Sequence, residues 1–450
     1  MSKVTIYITN YNYGRFISEA IDSVLNQTYS DIELIVIDDG STDNSREIIN
    51  KYAQEHDFQV ILQQNKGLNA TNNVALAASK GKYIMRLDAD DFLHPSATEE
   101  LVAKIESDTN IGLVFPDYYY VDADGQIIAK QIRHNFDTDV VLLDQEAHGA
   151  CTLIRSEYLK NLGGYDESFS CQDGYELWVK FISHYTVSNL NKPLFYYRRH
   201  GSNLTGDDNR ILSTRAAINK KNVENRSLDT STLGIIPIKD SHAVAFNKIG
   251  EHTLLELKLQ SLVLSNNIKE VVITSPIHDL KKQILIPNQL ENKVHFHLRQ
   301  GETLSLNEHL KDILLKPKFN HYKTVCTIAT EYPFVSAITI DDSINTKFVF
   351  GSNSLISAVG DTSNFYIHEG RGFKSILNRE SKTRLEREAI YKQVGGLSVF
   401  DKDLFLKTNT TLQSPIGHIR VSQASSFKID SKASLEWATL IYNSKNKSTS

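Results

Sequence analysis

Short β-rich runs alternate with helical patterns over the first 110 residues, and this alternation restricts the fold more than any other feature of the chain. The sequence predicts strands at 3–9, 32–37, 58–62, 82–87 and 111–115. Between the first two strands, apolar residues recur at helical spacing over 14–26, so this segment is expected to bury one face against a sheet. Because strands that are joined by crossover helices run parallel, the sequence predicts an α/β fold with an open, mainly parallel sheet.

A second α/β pattern begins after a polar segment. Residues 206–231 are polar and end in Ser and Thr, which is typical of a surface helix that runs into a linker. Strands are then predicted at 233–238 and 269–275, with a leucine-rich helix between them. The sequence therefore predicts a first domain over 1–205, a helix and linker over 206–231, and a second α/β domain over 232–445.

The composition disfavours several classes of protein. The chain has 450 residues and a net charge of −5, which leaves no basic footprint for a nucleic-acid partner. Its three cysteines, Cys151, Cys171 and Cys326, lack metal-site spacing and indicate a reducing compartment. The N-terminal apolar run is too short for a signal peptide, and no run of about 18 apolar residues follows. A cytoplasmic protein is expected, with peripheral contact at the inner face of the membrane left open.

Three carboxylates follow the fourth strand in MRLDADDFLHP (85–95). Since side chains alternate between the faces of a strand, Asp88 and Asp90 project to one side and Asp91 to the other. A pair of carboxylates at a strand end suits Mg²⁺ or Mn²⁺. A calcium EF-hand loop is excluded, because Leu93 stands where that loop needs glycine. Asp91 is expected to support the turn that follows, and a solvated acidic turn stays open for the motif by itself.

Polar side chains also follow the first two strands. Thr9, Asn10 and Tyr11 end the first strand, and Asp38 and Asp39 end the second. In open parallel sheets, ligands bind beyond the carboxyl ends of the strands. A carboxylate there can accept the N3 hydrogen of uracil, an aromatic ring can stack on the base, and a cation can neutralise a diphosphate. The composition of this edge predicts a nucleotide-diphosphate site.

Four segments of the chain occur in the order that is typical of one enzyme family. They are TNYNYGRFISEAIDSVLNQTYSDIELIVIDDGSTDNS, NKGLNATNNVALAASKGKYIMRLDADD, GGYDESFSCQDGYELW and YYRRHGSN. With them, residues 1 to about 205 resemble an inverting family 2 glycosyltransferase with the GT-A type, Rossmann-like nucleotide-sugar-binding fold. The resemblance implies an enzyme of the hexosyltransferase type that depends on Mn²⁺ or Mg²⁺.

The resemblance also implies how the nucleotide sugar is bound. Thr9, Tyr11 and Asp39 would contact the uridine, and Asp88 would contact the ribose or a metal-bound water. The donor would accordingly be a nucleotide-diphosphate sugar, with UDP as the expected nucleotide.

The same resemblance implies which residues would bind the metal and lie near the diphosphate. Asp90 would bind the metal, with Asp88 as a further ligand, and His200 would lie on the diphosphate or metal side. The family's arginine in the third helix is absent here. Lys66 or Arg86 could supply its positive charge, unless these are solvated surface residues.

The catalytic base in this family is an acid just ahead of an aromatic-acid-Leu-Trp run. The segment CQDGYELW offers Asp173 and Glu176. Direct displacement at the anomeric carbon needs a carboxylate within hydrogen-bond reach of the acceptor hydroxyl. Asp173 takes the place of the first acid in the family's pattern and is the expected base, while Gly174 replaces the second acid. Glu176 is the alternative, and its structural role would be a helix N-terminal carboxylate that the helix dipole stabilises.

The second half resembles the cytidylyltransferases that activate acidic sugars such as sialic acid. The likeness covers 232–445 and rests on GIIPIKDSHAVAFNKIGEHTLLE, CTIATEYPFVSAITIDDSI, YKQVGGLSVFDKDLF and FKIDSKASLEWATLIY. Three of the family's charged positions keep a charged residue here, namely Lys239, Lys248 and Asp430. Two others are replaced by uncharged residues, Ala243 and Ser434. Nucleotidyl transfer depends on positioning phosphate and metal, so a degenerate cytidylyltransferase-like domain for binding or assembly is expected. An active CMP-sugar synthetase is the alternative.

Together these features predict a function. The chain is expected to move a sugar from a nucleotide-diphosphate donor to a hydroxyl of a glycan or lipid-linked glycan, in surface polysaccharide synthesis. A non-catalytic sugar-nucleotide-binding scaffold is the contrasting hypothesis, but a scaffold has no reason to keep acids at Asp39, Asp90 and Asp173. Loops within 116–150 are expected to select the donor sugar, and a homo-oligomer through the C-terminal domain stays open.

Overall fold

Two compact units make up the chain. The structure, a computed structural model, describes residues 4–200, 208–238, 244–284, 286, 291–299, 305–361, 363–368, 370, 372–376 and 390–447. The first unit comprises residues 1–207 and 362–388, and the second comprises 208–361 and 389–450. Within the described ranges, no helix is long and apolar enough to cross a bilayer.

The first unit contains a mixed sheet flanked by helices. Its strands are β1 (Val4–Asn10), β2 (Ile32–Asp39), β3 (Gln59–Gln63), β4 (Tyr83–Asp88), β5 (Phe92–Leu93), β6 (Ile111–Val121), β7 (Ile127–Gln131), β8 (Leu153–Arg155) and β9 (Thr186–Arg198). Its helices are α1 (Ile17–Leu25), α2 (Ser45–Glu55), α3 (Leu68–Ala78), α4 (Ala97–Ser107), α5 (Ser156–Asn161) and α6 (Asp173–Ile182).

Strand order brings the polar strand ends together. The order is β3-β2-β1-β4-β8-β6-β9-β5, with β7 paired to β6. Strand β1 is parallel to β2 on one side and to β4 on the other. The carboxyl ends of β1, β2 and β4 therefore lie at one edge of the sheet, as the sequence predicts.

Apolar residues determine which face of each element is buried. In α1, Ile17, Ala20, Ile21 and Val24 are buried and recur at helical spacing. Strand β1 is buried along its whole length, as expected of a parallel strand that is covered on both faces. These two elements share one hydrophobic core with β4 and α4.

The α/β fold class is confirmed, and the predicted strands of the first 110 residues are present. Strand β6, predicted to end at 115, instead continues to Val121, because it pairs in parallel with β9 over most of its length. Local sequence patterns do not predict α4, β8 or β9 as separate elements.

The second unit contains another α/β sheet. Its strands are β10 (Thr232–Pro237), β11 (Lys248–Ile249), β12 (His252–Thr253), β13 (Ile268–Ser275), β14 (Val294–Leu298), β15 (Thr324–Ile328), β16 (Ser354–Asp361), β19 (Ile390–Asp401) and β20 (Ile416–Arg420). Strands β17 (Tyr366–His368) and β18 (Phe373–Ser375), which pair with each other, lie within 362–388 and so belong to the first unit. The helices are α7 (Asp208–Asn225), α8 (Leu254–Val263), α9 (Leu306–Leu314), α10 (Ala337–Phe350), α11 (Lys402–Thr408) and α12 (Lys432–Lys447).

This second sheet is largely parallel. Its order is β14-β13-β10-β15-β19-β16-β20, and β19 is antiparallel to both of its neighbours. Helix α7, which lies within the predicted helix and linker, packs on α10. There Asn219 donates hydrogen bonds to Asp342 Oδ1 at 2.9 Å and to Thr346 Oγ1 at 3.0 Å.

The charged positions expected in the second domain are partly visible. Lys239 and Ala243 lie outside the described residues. Lys248 is exposed on β11, and Asp430 is exposed just before α12. The hydroxyl of Ser434 accepts hydrogen bonds at 3.0 Å from the main-chain N–H groups of Asp430 and Ser431, so Ser434 stabilises the start of α12.

Candidate active site

The ends of β1 and β4 are joined by side-chain contacts. Thr9 stands opposite Asp88 in the strand register, and its hydroxyl donates to Asp88 Oδ1 at 3.3 Å. Asn10 stands opposite Asp38 on the other side of β1. The ring of Tyr11 follows the end of the strand and is 47% exposed, so it is accessible for stacking.

Asp38 has a structural role at the end of β2. Its carboxylate accepts hydrogen bonds from Asn10 Nδ2 at 2.9 Å, from the Ser41 N–H at 3.0 Å and from Arg46 Nε at 2.8 Å. Burial by itself raises the pKa of Asp38, but the hydrogen bonds from Ser41, Arg46 and Asn10 outweigh it and hold the pKa below its ordinary value. Asp38 therefore stays ionised, and its carboxylate holds the turn after β2 in place.

Asp39 fixes the loop between β3 and α3. Its Oδ1 accepts hydrogen bonds from Gln63 Nε2 and the main-chain N–H of Lys66, both at 2.8 Å. Its Oδ2 accepts one from the Gly67 N–H at 2.9 Å and keeps capacity for another donor. The Lys66 side chain is exposed, so the hydrogen bond between Lys66 and this site is made by the main chain.

Asp90 and His200 contact each other. The imidazole Nε2 of His200 lies 2.9 Å from Asp90 Oδ2, and its ring stacks on Phe16 with centroids 5.4 Å apart. Burial and the nearby charge of Asp88 raise the pKa of Asp90 above its ordinary value. This part of the site holds negative charge that a cation would offset.

Asp88, Asp90 and His200 are the groups that could hold a divalent cation. No cluster of three His, Cys, Asp or Glu side chains is already assembled as a metal site in the part of the chain that the structure describes. Mg²⁺ usually takes one or two protein carboxylates and completes its shell with water and substrate phosphates. The oxygen donors and the repulsion between Asp88 and Asp90 fit such a cation.

Asp91 binds β9 rather than the turn at 92–95 that it was expected to support. Its Oδ1 accepts a hydrogen bond from the Arg198 N–H at 2.9 Å, and Arg198 Nε donates to the main-chain oxygen of Asp90 at 2.8 Å. Burial and the charge of Asp90 raise the pKa of Asp91 well above its ordinary value. Arg198 is thus a buried cation that holds the acidic turn, a role that the local sequence pattern does not predict.

Asp173 begins α6 and contacts a buried arginine of β4. Arg86 Nη1 donates a close hydrogen bond to Asp173 Oδ2, and Arg86 Nε lies 2.9 Å from Asp88 Oδ1. The alternative that Arg86 is a solvated surface residue is wrong, because it is only 6% exposed. Through Arg86, the expected base Asp173 is linked to Asp88 at the end of β4. Gln172, just before α6, has a left-handed backbone with φ of 64°.

Glu176 lies one turn further along α6 and is buried. Its Oε1 is 2.9 Å from Lys180 Nζ. Burial raises the pKa of Glu176 above its ordinary value, although the charge of Lys180 opposes this. Glu176 therefore has a cationic partner within its own helix.

A narrow cavity opens beside Asp173, with a volume of about 10 Å³ that matches about one water molecule. Its lining includes His148, Tyr165, Asp173 and Trp178. Burial lowers the pKa of His148 to about 4, so this imidazole is neutral near pH 7. Its Nδ1 accepts a hydrogen bond from the Ala150 N–H at 3.1 Å. His148 is not predicted as a site residue from the sequence, because it lies in an irregular loop without a periodic signal.

The mixed sheet, whose parallel strands β1, β2 and β4 end in polar side chains at one edge, is an α/β arrangement of the GT-A type. Residues 5–163 match the family model described as Glycosyl transferase family 2. The first unit therefore contains a region that matches the family 2 glycosyltransferases.

Named proteins with similar sequences include two polysaccharide synthases. A chondroitin synthase from Pasteurella multocida is 27% identical over 327 residues, which cover 71% of this chain and 32% of that protein. A hyaluronan synthase from Pasteurella multocida is 28% identical over 330 residues, with 71% of this chain and 32% of that protein covered. The chain thus spans about a third of the length of these curated relatives.

Solved structures give a weaker similarity. TarS 1-349 of S. aureus in complex with UDP-GlcNAc is 18% identical, with 49% of this chain and 66% of that chain covered and a TM-score of 0.43.

Proposed function

We propose that the protein is a metal-dependent, inverting glycosyltransferase that moves a sugar from a UDP-sugar to a hydroxyl of a glycan or lipid-linked glycan. One observation carries the proposal: Arg86 contacts both Asp88, one of the two acids of the proposed metal site, and Asp173 at the start of α6. The carboxylates of Asp88 and Asp90 suit a divalent cation that is bound to the donor diphosphate. The separate carboxylate of Asp173 suits proton transfer.

The nucleotide would bind at the ends of β1 and β2. Asp39 Oδ2 has capacity to accept the N3–H of uracil, the exposed ring of Tyr11 could stack on the base, and Thr9 would contact the uridine. The side chain of Lys66 is free to approach the donor phosphates, because only its main chain anchors it to Asp39.

Asp88, Asp90 and His200 would hold Mn²⁺ or Mg²⁺ near the diphosphate. Such a cation, when bound, neutralises charge that develops on the departing UDP.

Transfer would be a single displacement. The acceptor oxygen attacks the anomeric carbon, its proton passes to the Asp173 carboxylate, and the bond from that carbon to the UDP oxygen breaks. Asp173 suits this role better than Glu176, because Asp173 lines the cavity and Glu176 is not among the residues of that lining. One displacement inverts the configuration at the anomeric carbon.

A growing glycan is the proposed acceptor. Both named relatives are polysaccharide synthases, which favours surface polysaccharide synthesis as the setting. Donor choice is assigned to 116–150, where the hairpin of β6 and β7 leads into an irregular segment that ends beside His148.

For the second unit we propose binding or assembly rather than nucleotidyl transfer. Ser434 accepts main-chain hydrogen bonds at the start of α12, where the cytidylyltransferases that the second half resembles would carry an acid. Incubation of the full chain with CTP, Mg²⁺ and sialic acid is expected to give no CMP-sugar. Formation of CMP-sialic acid would contradict this assignment.

The transferase proposal is tested by product stereochemistry. The protein is incubated with Mn²⁺, a panel of UDP-sugars and short glycan acceptors, and the product is examined by proton NMR. An anomeric configuration opposite to that of the α-linked donor is expected. A product that retains the configuration would contradict direct displacement with Asp173 as the base.

A further inference from the structure

We infer that Arg86 is a positioning residue of the transfer reaction, whose buried guanidinium fixes the carboxylate of Asp173 relative to Asp88. The inference rests on the proposed function, since it concerns the alignment of the proposed base with the donor side of the same site.

Arg86 contacts both carboxylates at once. Its Nη1 donates to Asp173 Oδ2, its Nε lies 2.9 Å from Asp88 Oδ1, and its Nη2 donates to Asp88 Oδ2 at 3.4 Å. Thr9 holds Asp88 from the neighbouring strand. A planar guanidinium presents donors in fixed directions, whereas a lysine ammonium is a single point charge on a flexible stem. Arg86 can therefore set an angle between the two acids as well as a distance.

The surrounding loop is shaped to admit the guanidinium. A Cβ on Gly149 would lie 2.5 Å from Arg86 Nη2 and 3.1 Å from its Cζ. The Cys151 N–H donates to the main-chain oxygen of Arg86 at 2.8 Å, which anchors this loop to β4. Gly149 thus leaves the space in which Arg86 reaches both acids.

Stability alone explains this cluster poorly. The side chains of Arg86 and Asp173 are only 6% and 12% exposed. Desolvation offsets much of the attraction in a buried ion pair, so an apolar pair of similar volume is often as stable. Correct placement of a base, by contrast, is worth large factors in rate, and a displacement of about 1 Å can cost about 100-fold.

Two substitutions test the inference without removing the positive charge. Arg86→Lys keeps the charge but loses the planar donors, and Gly149→Ala displaces the guanidinium. For both, kcat for UDP release is expected to fall at least about 30-fold, while KM for the UDP-sugar stays within about threefold. Arg155→Lys is the matched control, because Arg155 is a partly buried arginine that donates to the main-chain oxygens of Ile111 and Ile105. It should lower the melting temperature and leave kcat unchanged.

A double-mutant cycle distinguishes positioning from general stabilisation. In the Arg86→Lys background, Asp173→Asn should lower kcat much less than it does in wild type, because Arg86 acts through Asp173. Strictly multiplicative losses would overturn the inference. So would kcat losses that track melting temperature across the Arg86, Gly149 and Arg155 variants.

The outcome also separates this inference from the proposed function. A wild-type protein that releases UDP, with Arg86→Lys and Gly149→Ala at full kcat, would overturn the inference alone. Absence of UDP release from wild type with every UDP-sugar and Mn²⁺ would overturn the proposed function and the inference with it.

Discussion

The imidazole Nε2 of His200 lies 2.9 Å from Oδ2 of Asp90, although the two residues are 110 positions apart in the chain. Strand β9 brings this contact about, because its last residue, Arg198, binds both Asp91 and the main chain of Asp90. The buried carboxylate of Asp90 and the imidazole of His200 thus meet where the proposed metal would bind.

Asp90→Asn should abolish the stimulation of UDP release by Mn²⁺. The amide keeps the shape of the side chain but removes the charge that a cation would need, and kcat should fall at least about 100-fold. Metal titrations of UDP release measure this. Asp124→Asn is the control, since Asp124 is an exposed acid paired with Arg15 at the surface. An Asp90→Asn protein with a normal Mn²⁺ response would remove Asp90 from the metal site.

Asp39→Asn should weaken binding of UDP at least about tenfold. The carboxylate accepts three hydrogen bonds, from Gln63, Lys66 and Gly67, and an amide would turn N–H donors toward one of these groups. A buried polar group left unsatisfied costs about 1–3 kcal/mol. Isothermal titration calorimetry with UDP measures the change. Equal affinity of the variant and wild type would show that Asp39 does not recognise the nucleotide.

Asp173→Asn should mainly lower kcat, whereas Glu176→Gln should mainly lower the melting temperature. Loss of the base is expected to lower kcat about 100-fold or more, in the range that general base catalysis contributes. Glu176→Gln breaks a buried pair with Lys180 and should lower the melting temperature while kcat falls less than about fivefold. Activity and thermal unfolding are measured on the same samples. The reverse pattern would make Glu176 the base.

Asp342 should make the second unit less stable as the pH rises. Burial raises the pKa of Asp342 from 3.8 to about 6, despite hydrogen bonds from Asn219 and Thr346. Protonation is easier in the folded state, so the contribution of this group is fully present below about pH 4 and is lost as the pH rises through about 6.

Asp342→Asn should remove that pH dependence. At pH 7 the variant is expected to have a free energy of unfolding higher by up to about 3 kcal/mol, with no gain at pH 4. Hydrogen exchange of the α7 and α10 peptides, read by mass spectrometry between pH 4 and 7, measures local stability. An unchanged pH dependence in the variant would show that Asp342 ionises normally.

Local sequence patterns were enough to predict the framework of the first unit. Strands β1 to β4 and helix α1 follow from residue periodicity, which depends on neighbours in the chain. The rule that parallel strands end at one edge then placed Thr9, Asp39 and Asp88 together.

Contacts between distant segments were not predictable in this way. Arg86 and Asp173 are 87 positions apart, and no local pattern shows that Arg86 is buried against Asp173. Arg198 stands in a run of aromatic and basic residues that suits a surface as well as a core. Its role depends on β9 pairing with β5 and β6, which periodicity alone does not reveal.

Release of UDP from a UDP-sugar, measured side by side for wild type, Asp90→Asn and Asp173→Asn with Mn²⁺ and with EDTA, tests the central claim most directly. The account predicts metal-dependent release by wild type and a loss of at least about 100-fold in each variant. Equal turnover by wild type and both variants, or turnover unaffected by EDTA, would contradict it.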